Sequence, residues 1–286
     1  MKQKQRIIFF GMVAVALIFA ACGGDSGNNG VETEVDSSSS GDIFWSSSVA
    51  VSSPSETSPS SSTASSSSLA CTNTYGTNTV TDCRDGQSYK TVVIGSQTWM
   101  AENLNYADSI AMPSLVGNSW CYENSADSCS KYGRLYKWAS AMAVDSIYNG
   151  AVLGDTLNHQ GACPIGWHIP LSSEWNALAV AVGGIKGDDG DYYASAGVAL
   201  KSTHGWNNHD GARGNGTDSY GFSALPAGFR DFSGGFGYVG SDAYFWSASE
   251  IKADSAYYRY LYNYITYMGT HGNYKDDAFS VRCVKD

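Results

Sequence analysis

Fifteen residues, Gly161 to Trp175, constrain this chain more than any other stretch. They hold Cys163, Trp167, His168, Pro170, Ser172 and Trp175, so a cysteine, two tryptophans and a helix start follow one another with no spacer. The chain ends on a second constrained run, Phe279 to Val284, which carries Cys283. A Cys163–Cys283 bridge would tie a central helix to a C-terminal strand and close the domain. Trp175, Leu178, Ala179 and Val182 fall at i, i+3, i+4 and i+7, the spacing of one helix face. Gly183 and Gly184 supply the stop, and Ser172, just after Pro170, is the expected N-cap. Glu174 is then out of place for a capping box, and His168 reads as a satisfied core histidine rather than a base.

The N-terminus carries an address. Lys2, Lys4 and Arg6 precede an apolar run from Ile7 to Ala20, the pattern of a secretory signal over residues 1–22. The run falls short of the about 20 apolar residues a membrane span needs. It ends in Phe19, Ala20, Ala21 and Cys22, which resembles the bacterial lipoprotein cleavage box. That resemblance implies acylation of Cys22, and Gly23 after it implies passage to the outer membrane or cell surface. Setting Cys22 aside leaves Cys71, Cys83, Cys121, Cys129, Cys163 and Cys283, and an even number in an exported protein reads as disulfides. Short loops favour Cys71–Cys83 and Cys121–Cys129, which leaves Cys163–Cys283 as the long-range bridge. Zinc is the competing reading, but no two of these cysteines have the C-x₂-C spacing. Removing the signal leaves 14 basic against 27 acidic side chains, a formal charge of −13. Such a surface repels phosphate backbones, so nucleic acid is not an expected partner.

Residues 23–70 contain no Lys or Arg, and 18 of the 32 residues between Ser37 and Ser68 are serine. Such a segment cannot bury enough surface to offset its ordering entropy, so a disordered tether is expected, with a reach of roughly 40 Å. The head begins at Cys71. Gly95 and Ser96 between two apolar runs spell a tight β-hairpin with glycine first. Leu135, Trp138, Ala139 and Met142 have helical spacing, which predicts an amphipathic helix over Lys131–Ala143. From Gly183 to Gly221 the chain is dense in Gly, Asp, Asn and Ser, a loop either functional or mobile. Strand-like pieces separated by glycine-rich turns then run to Val284. Two main helices early and strands late give a disulfide-stabilised α+β domain over 71–286 with a small, mostly antiparallel sheet.

Six blocks in order, Val93 to Leu104, Tyr132 to Trp138, Cys163 to Pro170, Gly221 to Gly228, Phe245 to Glu250 and Ser280 to Asp286, resemble the Fibrobacter succinogenes major paralogous domain. The entry to the Trp175 helix, the Phe245 block and the Cys283 ending are also similar to C-type-lectin-like folds, sulfatase-modifying proteins among them. This resemblance implies two helices around a small twisted sheet, with ligand contacts on loops and late strands. The catalytic cysteines of the sulfatase-modifying relatives have no match, so their activity is not carried over.

Catalysis is not expected. Glu102, Glu174 and Glu250 could form a glycosidase pair, but each is better read as a helix-start or loop anchor. There is no G-x-S-x-G, and the five histidines are scattered. The oxygen-rich runs Asp188–Asp191 and Asn207–Asp218 would suit calcium; neither matches an EF-hand loop, and no cofactor or metal is predicted. The strongest remaining signal is tyrosine. Tyr258, Tyr260, Tyr262 and Tyr264 alternate with Arg259, Leu261, Asn263 and Ile265, so on one strand they share a face. With Leu261 and Ile265 facing inward, the rings form an outward platform suited to carbohydrate or a protein partner; a turn at Asn263 would leave only the first three together. The competing reading is cross-strand pairing that stabilises the sheet. Trp206, in the long loop, is expected to add an exposed contact, whereas Trp99, Trp138, Trp167, Trp175 and Trp246 belong to the core. The expected function is a lipid-anchored surface binding module, with a structural envelope protein as the alternative.

Overall fold

A computed structural model describes residues 71–286. The expected signal, the lipidated Cys22 and the serine-rich tether lie outside the described residues. The chain starts as a meander of β1 (Thr74–Gly76), β2 (Thr79–Thr81), β3 (Ser88–Ile94) and β4 (Gln97–Met100). Ile94 pairs with Gln97 across the Gly95–Ser96 turn, where Gly95 takes the positive φ that the hairpin expectation required. Next come β5 (Ser119–Trp120), helix α1 (Ala126–Tyr132), β6 (Leu135–Lys137) and the single-turn α2 (Trp138–Ala141). The middle holds β7 (Trp167–His168), α3 (Ser172–Ala181), β8 (Ile185–Lys186), β9 (Tyr192–Ala194) and α4 (Ala196–Leu200). The last third is β10 (Phe229–Arg230), β11 (Phe236–Gly237), β12 (Asp242–Lys252), β13 (Ser255–Tyr262), β14 (Met268–Tyr274), β15 (Ala278–Phe279) and β16 (Val284–Lys285).

These strands form three sheets, ordered β1-β2-β3-β4-β16-β7, β11-β10-β15-β6-β5 and β12-β13-β14-β9-β8, with antiparallel neighbours throughout. The result is an α+β domain with few, short helices. The three expected disulfides are all present: Cys71–Cys83, Cys121–Cys129 and Cys163–Cys283. The last one spans 120 residues of sequence. It brings β16 between β4 and β7, where Val284 faces Trp99 on one side and His168 on the other.

Two expectations about helices need correction. The Lys131–Ala143 helix does not form. Gly133, at φ 73, ends α1, and Leu135–Lys137 is drawn into a strand that pairs with β5 and β15. The apolar residues of that stretch are buried as the spacing required, but pairing on both edges of β6 wins over helix continuation. In α3 the N-cap is Leu171 rather than Ser172, and Glu174 does serve the cap: its carboxylate accepts the Leu171 N–H at 2.8 Å, half of a capping box. The Gly183–Gly221 stretch is no plain loop either, since β8, β9 and α4 fall within it.

The core lies on both faces of the third sheet. Along β12, Ala243 and Phe245 join a cluster around Trp99, Trp175 and Leu261, while Tyr244, Trp246 and Ala248 join one around Trp138, Trp167 and Phe279. That split is the period of two of a strand buried on both sides. All five tryptophans expected in the core are sealed there. Arg282, beside the long bridge, donates to Asn103 Oδ1 at 2.9 Å and to the carbonyls of Met100, Ser223 and Phe222. It ties the C-terminal segment to β4 and to the Phe222 segment, and burial pulls its pKa down to about 9.

Candidate binding surface

Strand β13 divides its side chains as the alternation predicted. Arg259, Leu261, Asn263 and Ile265 are buried, Tyr258, Tyr260 and Tyr262 are half-buried, and Tyr264 is 58% exposed. The four rings form one file. Centroids lie 6.0 Å apart for Tyr258–Tyr260, 4.7 Å for Tyr260–Tyr262 and 5.5 Å for Tyr262–Tyr264, the last two pairs stacked. Asn263 does sit in the turn after β13, yet Tyr264 keeps its place on Tyr262, and His209 extends the file 5.0 Å beyond it.

The file is braced from below and from the side. Tyr244 on β12 contacts both Tyr258 and Tyr262, and Phe279 lies 5.0 Å from Tyr258. On β14 the residue opposite Tyr260 is Gly269, where a Cβ would stand 2.0 Å from the ring. Glycine at that point lets Tyr260 lie flat across the neighbouring strand towards Tyr267. Cross-strand pairing and exposure therefore coexist: one side of each ring stabilises the sheet while the other faces outward.

The turn that carries Tyr264 is pinned by Lys201. This buried ammonium donates to the carbonyls of Tyr262 and Ile265, both at 2.9 Å, and burial pulls its pKa down to about 8. Burial also pushes the hydroxyls of Tyr258, Tyr260, Tyr262 and Tyr264 upward, Tyr258 to about 12, so the row stays neutral. At its edges stand Asp242, which accepts from the Tyr244 hydroxyl at 2.6 Å, and Asp277; burial raises both carboxyls.

Trp206 is not part of this surface. It is 5% exposed, and its Nε1 donates to Ser202 Oγ at 3.1 Å and Ala224 O at 3.0 Å. Ser202, within the Gly183–Gly221 segment, and Ala224, just beyond it, supply the indole N–H with acceptors, so the expected exposed contact is corrected to a core residue. The three candidate acids are each engaged. Glu102 accepts the Lys90 N–H, Glu174 caps α3, and Glu250 accepts the N–H groups of Leu153 and Gly154 while pairing with the sealed Lys275. His168 is 2% exposed with Nε2 on Glu174 at 2.9 Å and Nδ1 on Asp286 at 2.6 Å, a clamped core residue as expected. Among the described residues, no group of three or more His, Cys, Asp or Glu is arranged to hold a metal ion.

Sequence reasoning missed a cleft of about 350 Å³ lined by Asn149, Phe232, Asp254, Tyr274 and Asp276. Its residues come from four separate stretches, Tyr274 and Asp276 sharing one. The one sequence signal was Phe232 set in Asp231–Gly235, an apolar residue inside a turn-forming run. A larger cleft of about 540 Å³, between the Ala111–Asn118 and Ala143–Ser146 segments, is lined by none of the row's tyrosines.

A disulfide-braced α+β domain of small antiparallel sheets, bearing an aromatic file on its last large hairpin, is the class of protein that these features define. The sequence pattern of the Fibrobacter succinogenes major domain matches residues 92–285, and the chain belongs to that family. Searches of curated proteins and of solved structures return no match.

Proposed function

We propose that this chain is a lipid-anchored cell-surface binding module whose head presents the Tyr258–Tyr264 row to carbohydrate. The observation that carries this reading is the row itself: four aligned rings, uncharged, backed by a rigid core and open along one side. Flat neutral rings offer a stacking face to sugar rings at little entropic cost, since their rotamers are already held. The signal-like N-terminus with Cys22 and the serine-rich segment support an anchored head that stands off a membrane. The pairing of β16 with β4, together with the Cys163–Cys283 bridge, supports a C-type-lectin-like arrangement. Binding without catalysis is favoured because Glu102, Glu174 and Glu250 are each committed to structural bonds.

The test is a glycan array probed with the full-length chain and its Tyr264→Ala variant. Loss of at least about fivefold in affinity is expected, the size of one interface side chain worth 1 kcal/mol, with an unchanged unfolding midpoint. Equal binding by both chains would remove the row from the site. A wild-type chain that ignores every glycan but captures a protein would replace carbohydrate by a protein partner. Silence toward both would leave the structural envelope role.

A further inference from the structure

The cleft between Phe232 and Tyr274 stands out from the rest of the surface. Phe232 is 69% exposed and Tyr274 57% exposed, so two large rings stay in water beside a concave site. Phe232 sits in the β10–β11 turn, which Asp231 organises by accepting from Ser233 Oγ at 2.6 Å and Gly235 N at 2.9 Å. The Phe232 N–H itself donates to Asp277 Oδ1 at 2.8 Å. With the backbone that carries Phe232 held in this way, part of the ordering cost is met before any ligand arrives.

The polar groups of the cleft define what could enter. Asp276 pairs with Lys137 at 2.8 Å and accepts from Asn149 Nδ2 at 3.2 Å. Asp254 pairs with Lys252 at 3.2 Å. Each carboxylate already has its cation, so the cleft offers a basic ligand no unpaired charge and gives an anion no reason to bind. Aromatic walls, fixed carboxylate and amide oxygens and a balanced charge together fit a neutral sugar ring.

The cleft is also linked by hydrogen bonds to the hairpin that carries the tyrosine row. Asp277, which holds Phe232, is held in turn by Asn273 Nδ2 at 2.6 Å. Asn273 shares the outer face of the hairpin with His271, the residue opposite Tyr258. The Tyr258 end of the row thus leads through Asn273 and Asp277 to Phe232. We infer that the Phe232–Tyr274 cleft is a second carbohydrate subsite, receiving the end of a neutral glycan chain whose preceding units lie along Tyr258–Tyr264. This inference rests on the reading of the row as a sugar-binding surface.

The experiment compares the full-length chain with the double variant Phe232→Ala/Tyr274→Ala and with Tyr264→Ala, by calorimetric titration with disaccharides and hexasaccharides of a neutral glycan. Both altered positions of the double variant are exposed, and an unchanged unfolding midpoint verifies its fold. The double variant is expected to lose about tenfold in hexasaccharide affinity, with disaccharide affinity unchanged, whereas Tyr264→Ala weakens both. Hexasaccharide affinity equal to wild type in the double variant overturns the subsite and leaves the row standing. Wild-type affinities in Tyr264→Ala, beside a weakened double variant, overturn the row and leave the cleft. A wild-type chain that binds neither saccharide overturns both.

Discussion

Two aromatic-rich regions of this molecule treat their rings in opposite ways. Between Gly161 and Trp175 every ring is spent on the interior: Trp167 and Trp175 are sealed, His168 is clamped by two carboxylates, and Cys163 is bonded to the far end of the chain. Along Tyr258–Tyr264 the rings contact one another in file but are only partly covered. The first region shows how the domain stays closed. The second shows what the closed domain holds up. Aromatic content by itself does not separate scaffold from surface; the period does. A strand whose second face is only partly covered leaves its alternate residues half-exposed, whereas the scaffold stretch mixes a short strand, a turn and a helix start and so can bury all of its rings.

The largest effect should come from cutting the scaffold. Replacing Cys163 and Cys283 by alanine removes a bridge across 120 residues, and chain entropy alone assigns such a loop about 4–5 kcal/mol. Urea unfolding of the variant should show a loss of that order, and it should take the tyrosine row with it, because β16 no longer holds β4 and β7 together. A variant as stable as the wild type would mean that Arg282 and the sheet close the domain without the bridge.

How much of this was legible beforehand follows from the range of the forces involved. The hairpin at Gly95, the three bridges and the inward-facing tryptophans were readable because turn chemistry, cysteine spacing and apolar pattern act over short stretches or admit few pairings. The β13 alternation was readable for the same reason. The Lys131–Ala143 helix failed because Leu135–Lys137 pairs on both edges with β5 and β15, contacts that helical spacing cannot report. Trp206 failed likewise: a polar, glycine-rich loop suggested exposure, but Ser202 and Ala224 supply the indole N–H with acceptors. The cleft was illegible as a unit because Asn149, Phe232, Asp254, Tyr274 and Asp276 meet only after the sheets assemble.

A smaller effect concerns the scaffold's electrostatics. Burial alone would lower the pKa of His168, but hydrogen bonds to Glu174 and Asp286 outweigh it and raise the value above 6.5. A histidine with a raised folded pKa contributes stability that is complete below about pH 6.5. That contribution disappears as pH climbs through the raised value, because only the folded state is still holding the extra proton. Unfolding free energy should therefore fall with rising pH over that window. His168→Gln should cost about 1–2 kcal/mol at pH 6, the low end for hydrogen bonds to charged groups since Asp286 is half-exposed. It should also flatten the slope. An unchanged slope in the variant would assign the pH dependence to other groups.

The smallest effects sharpen the comparison most. Tyr262 is half-buried, stacked on Tyr260 at 4.7 Å and in edge contact with Tyr244 at 5.9 Å, so Tyr262→Ala should cost about 1–2 kcal/mol for lost ring contacts and area. Tyr264 keeps one stacked neighbour and lies mostly in solvent, so Tyr264→Ala should stay within about 0.5 kcal/mol of wild type. Thermal or urea unfolding of both variants measures the gap directly. A large gap means that the row grades from scaffold at Tyr258 to pure display at Tyr264, and it makes Tyr264 the position at which ligand contact can be altered without touching the fold. Equal and large losses would instead make Tyr264 one more packing residue, and the row would then resemble the Gly161–Trp175 stretch.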